Sequence, residues 1–126
     1  MSKKSKPIDI QWLKAVEEHD YPAAESYLLL LFEPKQVKTL VTRLRAAQIT
    51  QFKAKDIFRA SNLSLLGVSN SHVEKDRKKI TKGKELSPLL LVRDPDNGKI
   101  VIADGYHRLC AIYSFDEDAM IHCKIV

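Results

Sequence analysis

The run Ile100-Val101-Ile102-Ala103-Asp104-Gly105-Tyr106-His107-Arg108-Leu109-Cys110-Ala111 holds the residue types best suited to chemistry in this chain. An apolar segment ends in Asp-Gly, two potentially cationic side chains follow, and a helix-like pattern begins. Read as strand, turn and helix, the stretch leaves the backbone N–H groups after Gly105 unpaired at a helix N-terminus. Such an end attracts anions, because its donors are free and the dipole is positive there. His107 and Arg108 stand at that same end, and the planar fork of Arg108 suits phosphate oxygens, the favoured reading over a salt bridge within the fold. The pattern points to a phosphate or nucleotide site and leaves the reaction open. Asp104 is expected to cap the helix; it could instead hold a metal through water or simply make the turn. Tyr106 could stack on a base or pack.

No other constellation competes. His19, His72, His107 and His122 lack zinc-like spacing, and no Ser-His-Asp order can be defended. No metal ligand and no catalytic residue is assigned. Cys110 and Cys123 show neither metal nor redox spacing, so a reduced, cytoplasmic compartment is expected.

The elements that must position the turn follow from pattern. The chain has 126 residues, 44% hydrophobic and 29% charged, which fits one ordinary domain and excludes a disordered tail. Its longest apolar run, Tyr27 to Phe32, is far short of the roughly 20 residues that span a bilayer, so no membrane partner is expected. Lys3, Lys4 and Lys6 resemble the basic start of a signal peptide, but no apolar region follows. Net charge is +5 and unevenly placed: Lys35 to Arg59 carries seven Lys/Arg against one acid, whereas Leu86 to Val126 carries four against six. That asymmetry is compatible with a nucleic-acid or polyphosphate partner, although solvated helix faces are the favoured account of it.

In chain order, Met1 to Lys6 reads as a frayed terminus. Asp9 can cap a helix to about His19, with Trp12 as a core anchor beside Leu13 and Val16. Pro22 suits the first turn of a second helix, whose apolar end, Leu28 to Phe32, must be covered by the core or by a second subunit; the core is favoured. After Glu33-Pro34 a third helix runs to about Gln48, with Val37, Leu40, Val41 and Leu44 as one buried stripe and Lys35, Lys38, Arg43 and Arg45 off it. Ile49 to Phe52 reads as a short strand, Asp56 to Leu63 as a helical turn, and Leu63 to Val68 as an ambiguous apolar piece. Ser69-Asn70-Ser71 is turn and cap chemistry, with Asn70 or Ser71 capping a helix from His72 to about Thr81 that Gly83 ends. Pro88 to Val92 and Ile100 to Ala103 lack alternation, so both strands are expected to be covered on two faces. Asn97-Gly98 signals a hairpin between them. A helix follows Gly105, and Met120 to Val126 closes as a strand. The expected class is α+β: a small mixed sheet with flanking helices over residues 49–126, preceded by a helical extension over residues 1–48 packed on that core.

The segment Leu86 to Val126 resembles the core of the ParB-like N-terminal domain and sulfiredoxin superfamily. Ser87-Pro88-Leu89-Leu90-Leu91-Val92, Ile102-Ala103-Asp104-Gly105-Tyr106-His107-Arg108 and Ile121-His122-Cys123-Lys124-Ile125-Val126 match it in order and spacing. The helix His72 to Thr81 matches the helix before the first strand. The resemblance extends loosely back to Ile49 and omits residues 8–48. It implies a nucleotide-phosphate site in which Asp104, Gly105, Tyr106, His107 and Arg108 form the turn. His72, Lys75 and Lys79 close it from the preceding helix, and their spacing of i, i+3 and i+7 puts all three on one helix face.

The resemblance further implies ATP or another nucleoside triphosphate, with Mg2+, as the ligand set. Activities among similar proteins include nucleotide-dependent switching, small-molecule kinase chemistry and a nuclease assignment. Sulfiredoxins carry a reactive cysteine directly before the His-Arg pair, where this chain has Tyr106, so sulfinic-acid reduction is not expected. Partition proteins continue into a helix-turn-helix region, for which this sequence shows no module. Two further readings stand beside phosphate-ligand binding: a non-enzymatic nucleic-acid-associated protein using its basic helices, and an interaction module that dimerises through residues 28–32.

Overall fold

The computed structural model describes residues 9–67 and 70–126; the expectations for Met1 to Lys6, Val68 and Ser69 fall outside the described residues. The elements are α1 (Asp20–Leu28), α2 (Pro34–Ala46), β1 (Thr50–Lys53), α3 (Ala54–Ser61), α4 (Ser71–Thr81), β2 (Leu89–Asp94), β3 (Lys99–Asp104), α5 (Tyr106–Phe115) and β4 (Met120–Ile125). The class is mixed α+β. The four strands form one sheet in the order β1-β4-β2-β3, with β4 parallel to β2 and the other pairs antiparallel. A 3-10 turn, Pro95–Asn97, joins β2 to β3, and Gly98 follows it at φ +61°.

Strand periodicity explains why β2 reads as an unbroken apolar run. Leu89 and Leu91 face a core built with α3, α4 and α5, where Ile57, Val73, Ile80, Leu109 and Ile112 pack. Leu90 and Val92 face the opposite core, against Tyr21, Ala24 and Leu28 of α1 and Val37, Leu40 and Leu44 of α2. Alternate residues serve alternate faces, and both faces are covered. Val101 and Ala103 of β3 join the α1–α2 side while Ile102 joins the other. The boundary expected near residue 48 falls in the connection between α2 and β1, and both helices of the preceding stretch share a core with the sheet.

Three local expectations are corrected. Residues 9–19 do not form a helix: Trp12 makes an isolated parallel bridge to Leu86, with Leu13 N–H donating to Leu86 and Leu86 N–H donating to Gln11, each at 2.8 Å. The Asp9 carboxylate accepts from the Gln11 amide at 2.9 Å rather than capping a helix. Pairing with a distant backbone supersedes weak local helix signals here. Trp12 packs on the sheet-side core and stacks on His122, with centroids 4.9 Å apart.

The second correction concerns α1, which begins at Asp20 and stops at Leu28. Leu28 is buried, but Leu29, Leu30 and Leu31 are 46%, 80% and 47% exposed, so most of the run does not enter the core. One helix stripe reaches the sheet, and the residues beyond its last turn have no face left to fill. The third concerns Asp104, which is not a helix cap: the N-cap position belongs to Gly105.

Candidate functional site

β3 delivers Asp104 to the sheet edge, and the chain turns through Gly105 at φ +106° before α5 begins. A Cβ at Gly105 would lie 2.5 Å from Leu89 Cγ and 3.0 Å from Arg108 Nη2, so backbone angle and space both require glycine. Leu109 N–H donates to the Gly105 carbonyl as the first helical bond. The amides of Tyr106, His107 and Arg108 therefore precede any intrahelical partner, and glycine has no side chain to cap them.

α4 faces this end. Asn70 resolves the choice of cap: its Oδ1 accepts from the N–H groups of His72 at 2.9 Å and Val73 at 3.2 Å. Val73 and Ile80 bury toward the sheet, which turns His72, Lys75, Asp76 and Lys79 outward together. The eight residues singled out in the sequence, Asp104 to Arg108 with His72, Lys75 and Lys79, all line one open cavity of about 190 Å³. Asp76 is the one lining residue the sequence reading omitted. It lies at i+4 from His72, on the stripe already recognised, so its spacing could have found it.

Asp20 was the larger omission. It sits at the start of α1 and is 4% exposed. Its carboxylate accepts from the Ser87 hydroxyl at 2.6 Å, and Ser87 in turn accepts from Glu17 N–H at 3.0 Å. Arg108 Nη2 reaches Asp104 Oδ2 at 3.0 Å and Asp20 Oδ2 at 3.5 Å. Arg108, 18% exposed at the side chain, is thus held between two carboxylates, and its buried Nε has no partner among the described residues. Arg108 makes an internal ion pair and also lines the cavity. Burial pushes the Asp104 carboxyl above its ordinary value, opposed by the Arg108 charge and reinforced by Asp20.

Because Arg108 is already neutralised, the available positive charge comes mainly from α4. Among the described residues, neither Lys75 nor Lys79 takes part in an ion pair, whereas Arg77 on the same helix pairs with Glu74. The His72 and His107 rings lie 4.9 Å apart at a 41° tilt. Burial lowers the His107 pKa, the charge of His72 adds to this, and Asp76 opposes it. Tyr106 packs rather than standing free: its hydroxyl donates to the Ser64 carbonyl and ties the segment after α3 to the start of α5.

Thiol chemistry finds no support. Cys110 is buried and its pKa is raised by that burial, while Cys123 is pushed up to about 12. Among the described residues no group of three or more His, Cys, Asp or Glu could hold a metal ion, and no helix is long and apolar enough to cross a membrane. The arrangement can present two lysines, an imidazole and three backbone donors to one anionic group. No family model matches the sequence, and no curated protein or solved structure matches it either.

Proposed function

We propose that this chain binds a nucleotide or another phosphate-bearing small molecule at the Asp104–Arg108 turn, in the manner of the ParB-like and sulfiredoxin superfamily that it resembles. The observation that carries the reading is the convergence of the open α5 N-terminus with unpaired Lys75 and Lys79 on one cavity. Backbone donors and lysines together are the ordinary equipment for phosphate. Mg2+ would enter with the phosphates, since one or two carboxylates plus phosphate oxygens are its usual set; Asp76 is the cavity carboxylate not engaged by Arg108. Phosphoryl transfer or hydrolysis is compatible with such a cradle, in which positioning and charge dominate. The two unbridged, buried cysteines suit a reducing, cytoplasmic setting.

The test is thermal stabilisation by ATP, CTP, ADP and inorganic pyrophosphate. Wild type should gain stability with at least one of them, and the Lys75→Ala/Lys79→Ala double variant should lose that gain. No shift with any of the four would remove the reading.

A second reading rests on α2, whose Lys35, Lys38 and Arg43 are exposed on the side away from the sheet. They could hold nucleic-acid phosphates without catalysis, although the fourth cation, Arg45, is taken by Glu18 at 2.8 Å. Such binding must weaken steeply with salt, and a gel shift empty at low salt would exclude it. The exposed Leu29 to Leu31 leave self-association through residues 28–32 as a proposal that light scattering decides.

A further inference from the structure

The Asp104–His107 turn has a second side. Residues 104–107 also form one wall of a separate cavity of about 450 Å³, whose other walls are Ala23, Tyr27, Leu63, Ile102 and Ala103. The two cavities differ in kind. The first is small and lined by charge; the second falls within the roughly 300–1,000 Å³ typical of sites for organic ligands, and its walls beyond the shared turn are aliphatic groups and Tyr27. Ala23 and Tyr27 lie one helical turn apart on α1, so one face of that helix supplies them. Leu63 comes from the segment that the Tyr106–Ser64 hydrogen bond fastens to the start of α5. Tyr106 therefore stands in the common wall and also holds the far wall in place.

We propose that the ligand of this chain is an organic phosphate with an apolar arm. Its phosphate lies on the Lys75–Lys79 side of the turn, and its arm lies in the cavity between α1 and Leu63. This rests on the phosphate reading above and adds the chemical class of the remainder. Outside the shared turn, with its Asp104 and His107, the only polar side-chain group among the described residues on the second cavity's walls is the Tyr27 hydroxyl. A hydroxyl-rich sugar would find few partners on those far walls, whereas an aryl or alkyl group would bury its surface against Tyr27, Leu63 and Ile102.

The test is calorimetric titration of wild type with inorganic phosphate, naphthyl phosphate and ATP, repeated on Ala23→Phe and Leu63→Ser. Ala23 and Leu63 are both exposed, so each variant should keep the fold. Naphthyl phosphate should bind at least about tenfold more tightly than inorganic phosphate, and either variant should reduce that ratio toward one. A wild-type ratio near one, or a ratio that neither variant changes, overturns the arm assignment while phosphate binding stands. ATP binding more tightly than naphthyl phosphate, and indifferently to both variants, overturns it too, in favour of a nucleoside outside this cavity. No binding of any of the three removes the phosphate reading itself.

Discussion

The guanidinium of Arg108 lies 3.5 Å from the carboxylate of Asp20, a residue 88 positions earlier in the chain. The contact joins the first turn of α1 to the start of α5 across the end of the sheet. It means that the stretch before the sheet supplies part of the electrostatics of the candidate site rather than only covering a core face. Removing Arg108 would leave the buried Asp20 with only the exposed His19 ring and the Ser87 hydroxyl beside it, and would take from the half-buried Asp104 its cation. Arg108→Ala should therefore destabilise the fold by about 3 kcal/mol. Arg108→Lys should recover only part of that, because an ammonium cannot reproduce the fork. Urea unfolding of the two variants checks both, and an Arg108→Ala midpoint equal to wild type would contradict the internal role.

Gly105→Ala should be among the most damaging small substitutions in the chain. The positive φ costs about 1–3 kcal/mol for a residue with a side chain, and the added Cβ meets Leu89, which is fully buried in the sheet. Gly98→Ala is the control. Its φ is also positive, but a Cβ there would meet open space, so it should cost the conformational part alone. Thermal denaturation of the pair separates strain from collision.

His107 should make stability depend on pH in a known direction. Its imidazole is lowered from the ordinary 6.5, first by burial and then by His72. As pH falls, the unfolded chain takes up this proton before the folded chain does. The contribution of the neutral ring is thus complete above 6.5 and is lost as the pH falls through the folded value. His107→Gln should lose less melting temperature than wild type between about pH 8 and about pH 5. Asp104, raised by burial, works in the opposite sense at lower pH and is present in both chains. Identical pH profiles would show that His107 does not titrate differently on folding.

The leucine run offers a contrast within four residues. Leu28→Ala should cost about 2–5 kcal/mol, the usual range for emptying a filled core position. Leu30→Ala should stay within about 0.5 kcal/mol, as exposed positions do. Chemical denaturation of the two single variants is sufficient, and a large loss at Leu30 would mean that this leucine is covered in solution.

Much of the frame was legible because it is written locally. The stripe of Val37, Leu40 and Leu44 declares α2, and the uninterrupted apolar run from Leu89 to Val92 declares a strand covered on both faces. The strand–turn–helix around Gly105 could be read the same way; His72, Lys75 and Lys79 followed from the resemblance together with their shared helix face, and all eight residues line one cavity. What was not legible depends on distant partners. Asp9 to His19 carries acceptable helix signals, yet the backbone of Leu86 pairs with Gln11 to Leu13 and no helix forms there. Asp20 carries no signal at all, since nothing in its neighbourhood announces Arg108. Leu29 to Leu31 misled for a different reason: hydrophobicity says that a residue can be buried, not that a face remains to bury it.

The sheet order also dictates a sequence of events in time. Of its three strand pairings, only the β2–β3 hairpin joins neighbours in the chain; β4 must reach back to β2 and, further still, to β1, where Cys123 meets Thr50. Contacts of such separation form slowly, because a large loop must close before they give any return. The turn at Gly105 can take shape early from its own hairpin and helix, but the Asp20–Arg108 contact spans more of the chain than any of those pairings. The candidate site should therefore be among the last parts of the molecule to mature during refolding, its geometry completed after the secondary structure has appeared.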